Sequence, residues 1–303
     1  MPVSSPDPAA TAAALQFGQR CNALRLLVRL ELSAMVVLSA LAGYLFGAGA
    51  WTQQLLAVLA GVGLLAGGSS ALNQWQERDL DERMLRTCMR PLPTGQLTAR
   101  TVLLLSAGQI GGGLLLLGWL PGKLPLLLGL LAVIWYNAIY TPLKRVTPFA
   151  ALPGAICGVL PPLIGWTAAG GELLTLKSII LAGTLFVWQI PHTWLLLCHY
   201  RDDLRRSGLP DLFRTISTSR LLQINNCWIG SLFLCYLLFP LFGFILYPPL
   251  VVAFLIGLLA LLIALAKAWY DSPITATALR SFHLVNLSMA LLFSVLIIDR
   301  ILV

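Results

Sequence analysis

Asn73, Glu77 and Asp81 follow one another at intervals of four. On a helix that spacing gathers an amide and two carboxylates within an arc of about 80° on one face, where they can converge on one ligand. A second set lies further along the chain: His192, His199 and Asp203 are seven and four residues apart and form a narrow helical stripe flanked by Asp202. Of the 12 acids, Glu77, Asp79, Asp81 and Glu82 crowd one loop and Asp202, Asp203 and Asp211 another. Two such groups facing each other across a cavity would repel unless a hard cation neutralised them. Magnesium takes oxygen ligands and binds through a few carboxylates together with substrate phosphate oxygens. Asn73, Glu77, Asp81, Asp202 and Asp203 are therefore the expected catalytic and metal-binding residues, acting on a phosphorylated substrate. Asp79 points away from the stripe and is expected to pair with Arg83 or stay solvated. Arg86, Arg90, Lys144, Arg145 and Arg201 stand close to these acids in sequence, with the fork and point-charge chemistry that binds phosphate and stabilises a departing diphosphate.

The elements that position these groups belong to a membrane protein. At 303 residues, 58% hydrophobic and 11% charged, with a mean hydropathy of +0.85, the chain has too little polar surface to enclose a water-soluble core. Apolar runs near the roughly 20 residues that span a bilayer recur along the sequence, at about 27–47, 52–72, 101–119, 124–141, 149–168, 175–197, 221–243, 246–267 and 281–299. Their length and continuity predict an all-α bundle of about nine transmembrane helices, since lipid leaves a segment to satisfy its own backbone hydrogen bonds. Residues 1–19, rich in Pro, Ala and Ser, read as a disordered leader, and 20–303 as a single transmembrane domain.

The formal charge of +8 does not require a nucleic-acid partner, and none is expected. Of the 20 Lys and Arg, all but Lys123, Lys177 and Arg300 fall on one side of the predicted spans, which the positive-inside rule makes cytoplasmic, along with the N-terminus and the acidic loops. The six cysteines form no CxxC pair and read as packing residues rather than a disulfide framework or a zinc site.

The stretch Asn73-Gln-Trp-Gln-Glu-Arg-Asp-Leu-Asp81, with Arg86-Thr87 and Arg90-Pro91-Leu92, resembles the UbiA superfamily of intramembrane prenyltransferases, and within it the heme-directed branch. Further matching stretches are Tyr140-Thr-Pro-Leu-Lys-Arg145 with Thr147-Pro148, Pro161-Pro-Leu-Ile-Gly-Trp166, Pro191-His192-x-Trp194, Asp202-Asp203 and Gly208-x-Pro210. The likeness covers most of 25–300. It departs at Glu77, where that family's first motif has Asp, at Leu204, where Tyr is usual, and at Asp211, where Met is usual. The resemblance implies a bundle with a central cavity open to the membrane and a cytoplasmic cap carrying both acidic motifs, in the inner (cell) membrane of a bacterium. It also implies a prenyl diphosphate substrate, farnesyl diphosphate in the heme branch, with magnesium as cofactor and heme b as the acceptor converted to heme O. His192, His199, Asn137 and Tyr140 are the expected acceptor contacts, with hydrogen bonding between helices as the alternative for the polar ones. The departures leave open a quinone precursor or another aromatic acceptor. A transporter is the alternative of another class.

Overall fold

A computed structural model describes residues 8–47, 52–270 and 274–303. Among them all regular structure is helical. In chain order the elements are α1 (Pro8–Leu27), α2 (Leu30–Phe46), α3 (Gln53–Gln76), α4 (Arg78–Asp81), α5 (Ala99–Trp119) and α6 (Lys123–Val133), the last continuing through a π-helical segment, Ile134–Tyr140, into α7 (Thr141–Leu143). Then come α8 (Ala151–Gly154), α9 (Ile156–Ala168), α10 (Leu176–His199), α11 (Arg201–Ser207), α12 (Leu212–Thr215), α13 (Thr218–Leu241), α14 (Pro248–Tyr270) and α15 (Ile274–Leu302). Eight spans among the described residues are long and apolar enough to cross a membrane, and α1 with α2 supplies a ninth, bent by 51°. The expected nine runs each find a helix. Residues 1–7 of the expected leader lie outside the described residues, and from Pro8 the chain is helical.

The surface of the bundle is what lipid requires. Along α14 Val252, Ile256, Leu259 and Ile263 are each more than half exposed, a row of aliphatic side chains that water would penalise and acyl chains do not. Inside, α2 and α9 cross closely because small residues face each other. A Cβ on Gly43 would run into the Pro162 backbone carbonyl, and one on Gly165 into that of Ala40. Phe46, Trp166, Phe239 and Phe244 fill one end of this packing, with ring centroids 5.6 Å apart for Phe46–Trp166 and 5.8 Å for Phe46–Phe239.

Two local features set up the polar end. Pro142 has no N–H to offer the preceding turn and its ring crowds the carbonyl four residues back, so the helix widens into the π segment before it. The Thr141 hydroxyl donates to the Tyr136 carbonyl at 2.8 Å, satisfying an acceptor within that segment. Secondly, α10 runs unbroken through Pro191 and ends at His199, so that α11, with the second acid pair, starts as a separate short helix.

The α2–α9 crossing generates a stability prediction. Gly165→Val lowers the thermal unfolding temperature of detergent-purified protein or abolishes monodisperse folded yield, whereas Gly183→Val, at a position where a Cβ meets open space, leaves both near wild type. Size-exclusion profiles after heating distinguish the two.

Candidate active site

A polar ladder between two parallel spans delivers the first motif. From within α3 towards its end, the Ser69 carbonyl accepts from Asn137 Nδ2 (3.0 Å), Asn73 Nδ2 donates to Thr141 Oγ1 (3.1 Å), and Glu77 Oε1 receives Lys144 Nζ (2.6 Å). These pairs lie 68, 68 and 67 residues apart in sequence, the constant offset of helices running side by side in the same direction. Buried polar groups inside a bundle need such partners. Asn73 Nδ2 also donates to Glu77 Oε2 at 2.9 Å, so one amide orients both the motif's carboxylate and the neighbouring threonine.

Although α3 ends at Gln76, helical bonds bridge the break: Glu77 N–H donates to the Asn73 carbonyl (2.9 Å) and Asp81 N–H to that of Glu77 (2.8 Å). The four-residue stripe therefore survives, and all three of its residues are buried. Arg90 grips Asp81 with one nitrogen, Nη1, at 2.8 and 2.7 Å from the two carboxylate oxygens. The Asp81 carboxylate is almost fully buried. Its desolvation pushes its pKa up, against which the Arg90 charge and hydrogen bond pull down. Lys144 is similarly balanced: desolvation works to lower its pKa, but the Glu77 carboxylate and the nearby tyrosines outweigh it and the net direction is upward, keeping the ammonium charged.

The second motif reaches the first through the main chain. Asp203 Oδ1 accepts from the Leu85 N–H (3.2 Å) and Oδ2 from the Arg86 N–H (3.1 Å). The same 82–90 loop is bonded to Asp81, through Arg90 and through the Thr87 hydroxyl, which donates to the Asp81 carbonyl at 3.1 Å. Both acidic motifs are thus fastened to one short loop. Arg86 extends from it over the Tyr200 ring at 5.0 Å. Beside Lys144 a cleft opens, walled by Tyr140, Thr193, Leu197, Leu204 and Leu212, which brings Leu204, one of the departures from the family pattern, against the site.

Not every expected residue joins this centre. Asp79 pairs with Arg145 at 2.8 Å instead of Arg83, which lowers the Asp79 pKa and takes Arg145 into a surface ion pair rather than the phosphate site. Asp202 is exposed at the rim. Arg201 stacks over Phe213 at 4.6 Å and reaches Thr218. The four expected acceptor contacts are not assembled into one wall. Tyr140 lines the cleft and Asn137 is spent in the ladder. His192 Nδ1 bonds Asn286 Oδ1 at 2.7 Å between the Trp188 and Phe282 rings, and exposed His199 packs on Tyr200. Among the described residues no three His, Cys, Asp or Glu side chains converge as a ready-made metal cluster. Sequence reasoning missed Thr141 and Thr87 as site residues, and the backbone donors at 85 and 86. Thr141 had a detectable signal in its place four after Asn137, and Thr87 in its place beside Arg86.

Comparison with known proteins bears on the family and the fold. The model of the UbiA prenyltransferase family matches residues 36–289. The chain is 46% identical over 219 residues to the protoheme IX farnesyltransferase of Geobacter sulfurreducens, covering 72% of this chain and 80% of the relative. It is 36% identical over 274 residues to that of Oleidesulfovibrio alaskensis, covering 90% and 95%. Among solved structures it resembles a digeranylgeranylglyceryl phosphate synthase (TM-score 0.73, 15% identity, 94% of this chain and 100% of the other). It also resembles a UbiA homologue from Archaeoglobus fulgidus bound to GPP and Mg2+ (TM-score 0.62, 17% identity, 89% and 99%). At those identities the structures speak for the fold, and the sequence matches speak for descent: this chain is an integral membrane protein that belongs to the UbiA prenyltransferase family.

Proposed function

We propose that this prenyltransferase moves the farnesyl group of farnesyl diphosphate onto heme b to make heme O, with magnesium at the two acidic motifs, in the inner membrane of a bacterium with the charged loops in the cytoplasm. The observation that carries the site assignment is the tethering of Asp203 to the loop that also holds Asp81, because it fastens both acidic motifs to one short segment. The acceptor is supported by the names of the relatives, which match over most of the chain.

The donor set suits magnesium. Glu77, Asp81 and the Asn73 amide would hold it from α3 and α4, and Asp202 and Asp203 from α11, all through oxygen. Magnesium binds through a few carboxylates and completes its shell with water and substrate phosphate. Each Asp203 oxygen keeps a lone pair after accepting its backbone N–H. When bound, magnesium neutralises the diphosphate and eases its departure.

The chain's own residues supply the rest. Lys144 and Arg90 sit on Glu77 and Asp81 as counterions and are the cations closest to hand for the phosphate oxygens; Arg86 offers a third. As the allylic C–O bond breaks, its electrons leave on the diphosphate, where these cations hold them. The cleft beyond Lys144, walled by Leu197, Leu204 and Leu212, shelters the prenyl chain and keeps water from the allylic carbocation until the π electrons of a heme vinyl group form the new C–C bond; one water then adds to the cation left on the former vinyl carbon and loses a proton, giving the hydroxyl of heme O.

The assay is conversion of heme b to heme O by purified protein with farnesyl diphosphate and magnesium, followed by chromatography and mass spectrometry; no product under conditions that support a known enzyme of this kind rejects the heme reading. Three outcomes are expected. Asp81→Asn lowers turnover at least about 100-fold while the unfolding temperature changes little, since Arg90 keeps a hydrogen-bond acceptor. Lys144→Met raises KM for farnesyl diphosphate about ten-fold and Lys144→Arg restores part of the loss, read from initial rates. Chelation with EDTA abolishes transfer and added magnesium restores it.

A further inference from the structure

The cleft beside Lys144 has one charged end and fixed apolar walls. Lys144, on Glu77 at 2.6 Å, stands at the charged end. Away from that ammonium the lining is mostly hydrocarbon and comes from two places: Ala150 and Ala151 at the start of α8, and Leu204, Leu209, Pro210 and Leu212 from the corner between α11 and α12. Ala150, Ala151 and Leu212 are buried, so this part of the lining belongs to the core of the bundle. The α8 floor is held in place from the π segment. Trp135 Nε1 donates to the Pro153 carbonyl at 2.7 Å, and Gly154 lies so close to the Tyr140 ring that a Cβ there would collide with it.

Three residues stiffen the corner opposite. The buried Ser207 hydroxyl donates to the Leu204 carbonyl at 2.6 Å and accepts from the Leu209 N–H at 3.2 Å. Gly208 takes the left-handed conformation (φ 77°) that ends α11, which a side chain would resist. Asp211 caps α12 by accepting the Phe213 N–H at 2.9 Å. Leu204 and Asp211, two of the departures from the family pattern, thus belong to one structure: the first supplies a wall, and the second holds the turn that brings Leu212 to the same cleft. Asp203, next to Leu204, is tied to the 82–90 loop, so the corner is also anchored to the acidic motifs.

An allylic diphosphate carries its reacting carbon on the diphosphate, so its hydrocarbon must run from the cations into the apolar space that adjoins them. A wall that does not yield then limits how many isoprene units fit, and an aliphatic wall leaves no polar atom unpaired against them. We propose that this cleft gauges the length of the prenyl donor, with Leu204 and Ala151 as specificity-determining residues that match it to a farnesyl chain. The inference rests on the prenyl diphosphate reading of the site and deepens it, since that reading does not by itself say what selects the chain.

The test is a competition between donors. Full-length protein purified in detergent is given heme b, magnesium and an equimolar mixture of geranyl, farnesyl and geranylgeranyl diphosphates, and the prenylated hemes are quantified by mass spectrometry. Wild type is expected to favour farnesyl. Ala151→Leu, which thickens the floor, lowers the farnesyl-to-geranyl product ratio about ten-fold, and Leu204→Ala, which thins the wall, raises the geranylgeranyl-to-farnesyl ratio by a similar factor. Shifts of opposite sense are something a general loss of folding does not produce. Inorganic pyrophosphate has no chain, and calorimetry with magnesium present should find its affinity in both variants as in wild type. Ile256→Ala, on the lipid-facing row of α14, leaves the product ratios unchanged. Wild-type ratios in Leu204→Ala overturn the proposal even if Ala151→Leu yields no folded protein. So does an equal loss of all three products in folded Ala151→Leu, which marks a wall the chain passes rather than ends on. A raised KM for heme b at unchanged donor ratios also overturns it, marking an acceptor wall. If wild type makes no prenylated heme from any of the donors, the site reading falls together with this inference; prenylation whose donor ratios ignore both residues takes down the inference alone.

Discussion

Carboxylates repel one another, and a membrane-embedded site built from them needs something to keep them close. In this protein the answer is a short loop used from both directions: residues 82–90 hold Asp81 through the Arg90 guanidinium and Asp203 through two backbone amides. Neither acid touches the other's helix by side chain. The remaining architecture can be read as support for that arrangement. The Asn137, Thr141 and Lys144 rungs align α6 and α7 with α3, and the separate start of α11 after His199 lets Asp203 turn to the loop.

The electrostatic consequence is a first motif whose carboxylates are already paired. Glu77 has Lys144 and Asp81 has Arg90, so both acids of the first motif already carry counterions. Under the proposed function, binding a metal–diphosphate pair would be an exchange of partners among buried groups rather than a fresh desolvation of bare charges, which a low-dielectric surrounding would make costly.

Much of this was legible in the residues. The spans follow from hydropathy alone, because lipid imposes a length and a composition that soluble helices need not meet. The stripe Asn73, Glu77, Asp81 follows from helical geometry and persists across the break at Glu77 because the i to i+4 bonds do. What escaped was of another kind. Asp79 finding Arg145 depends on the lateral fit of two spans, which local spacing cannot give. The stripe drawn through His192, His199 and Asp203 assumed one continuous helix; the break at Tyr200 parts Asp203 from the two histidines, and these, although both on α10, have different partners, His192 turning to Asn286 and His199 to the surface. Leu85 and Arg86 act through their amides, which every non-proline residue possesses, so no residue type could have singled them out.

That anonymity has a further meaning. A fastening made by main-chain N–H groups is indifferent to which side chains its residues carry, provided neither is proline. The position at 85 is thereby released from any side-chain task in this joint and is free to vary while the link between the two acidic motifs stays intact, whereas at 86 the side chain still has the Tyr200 ring to cover.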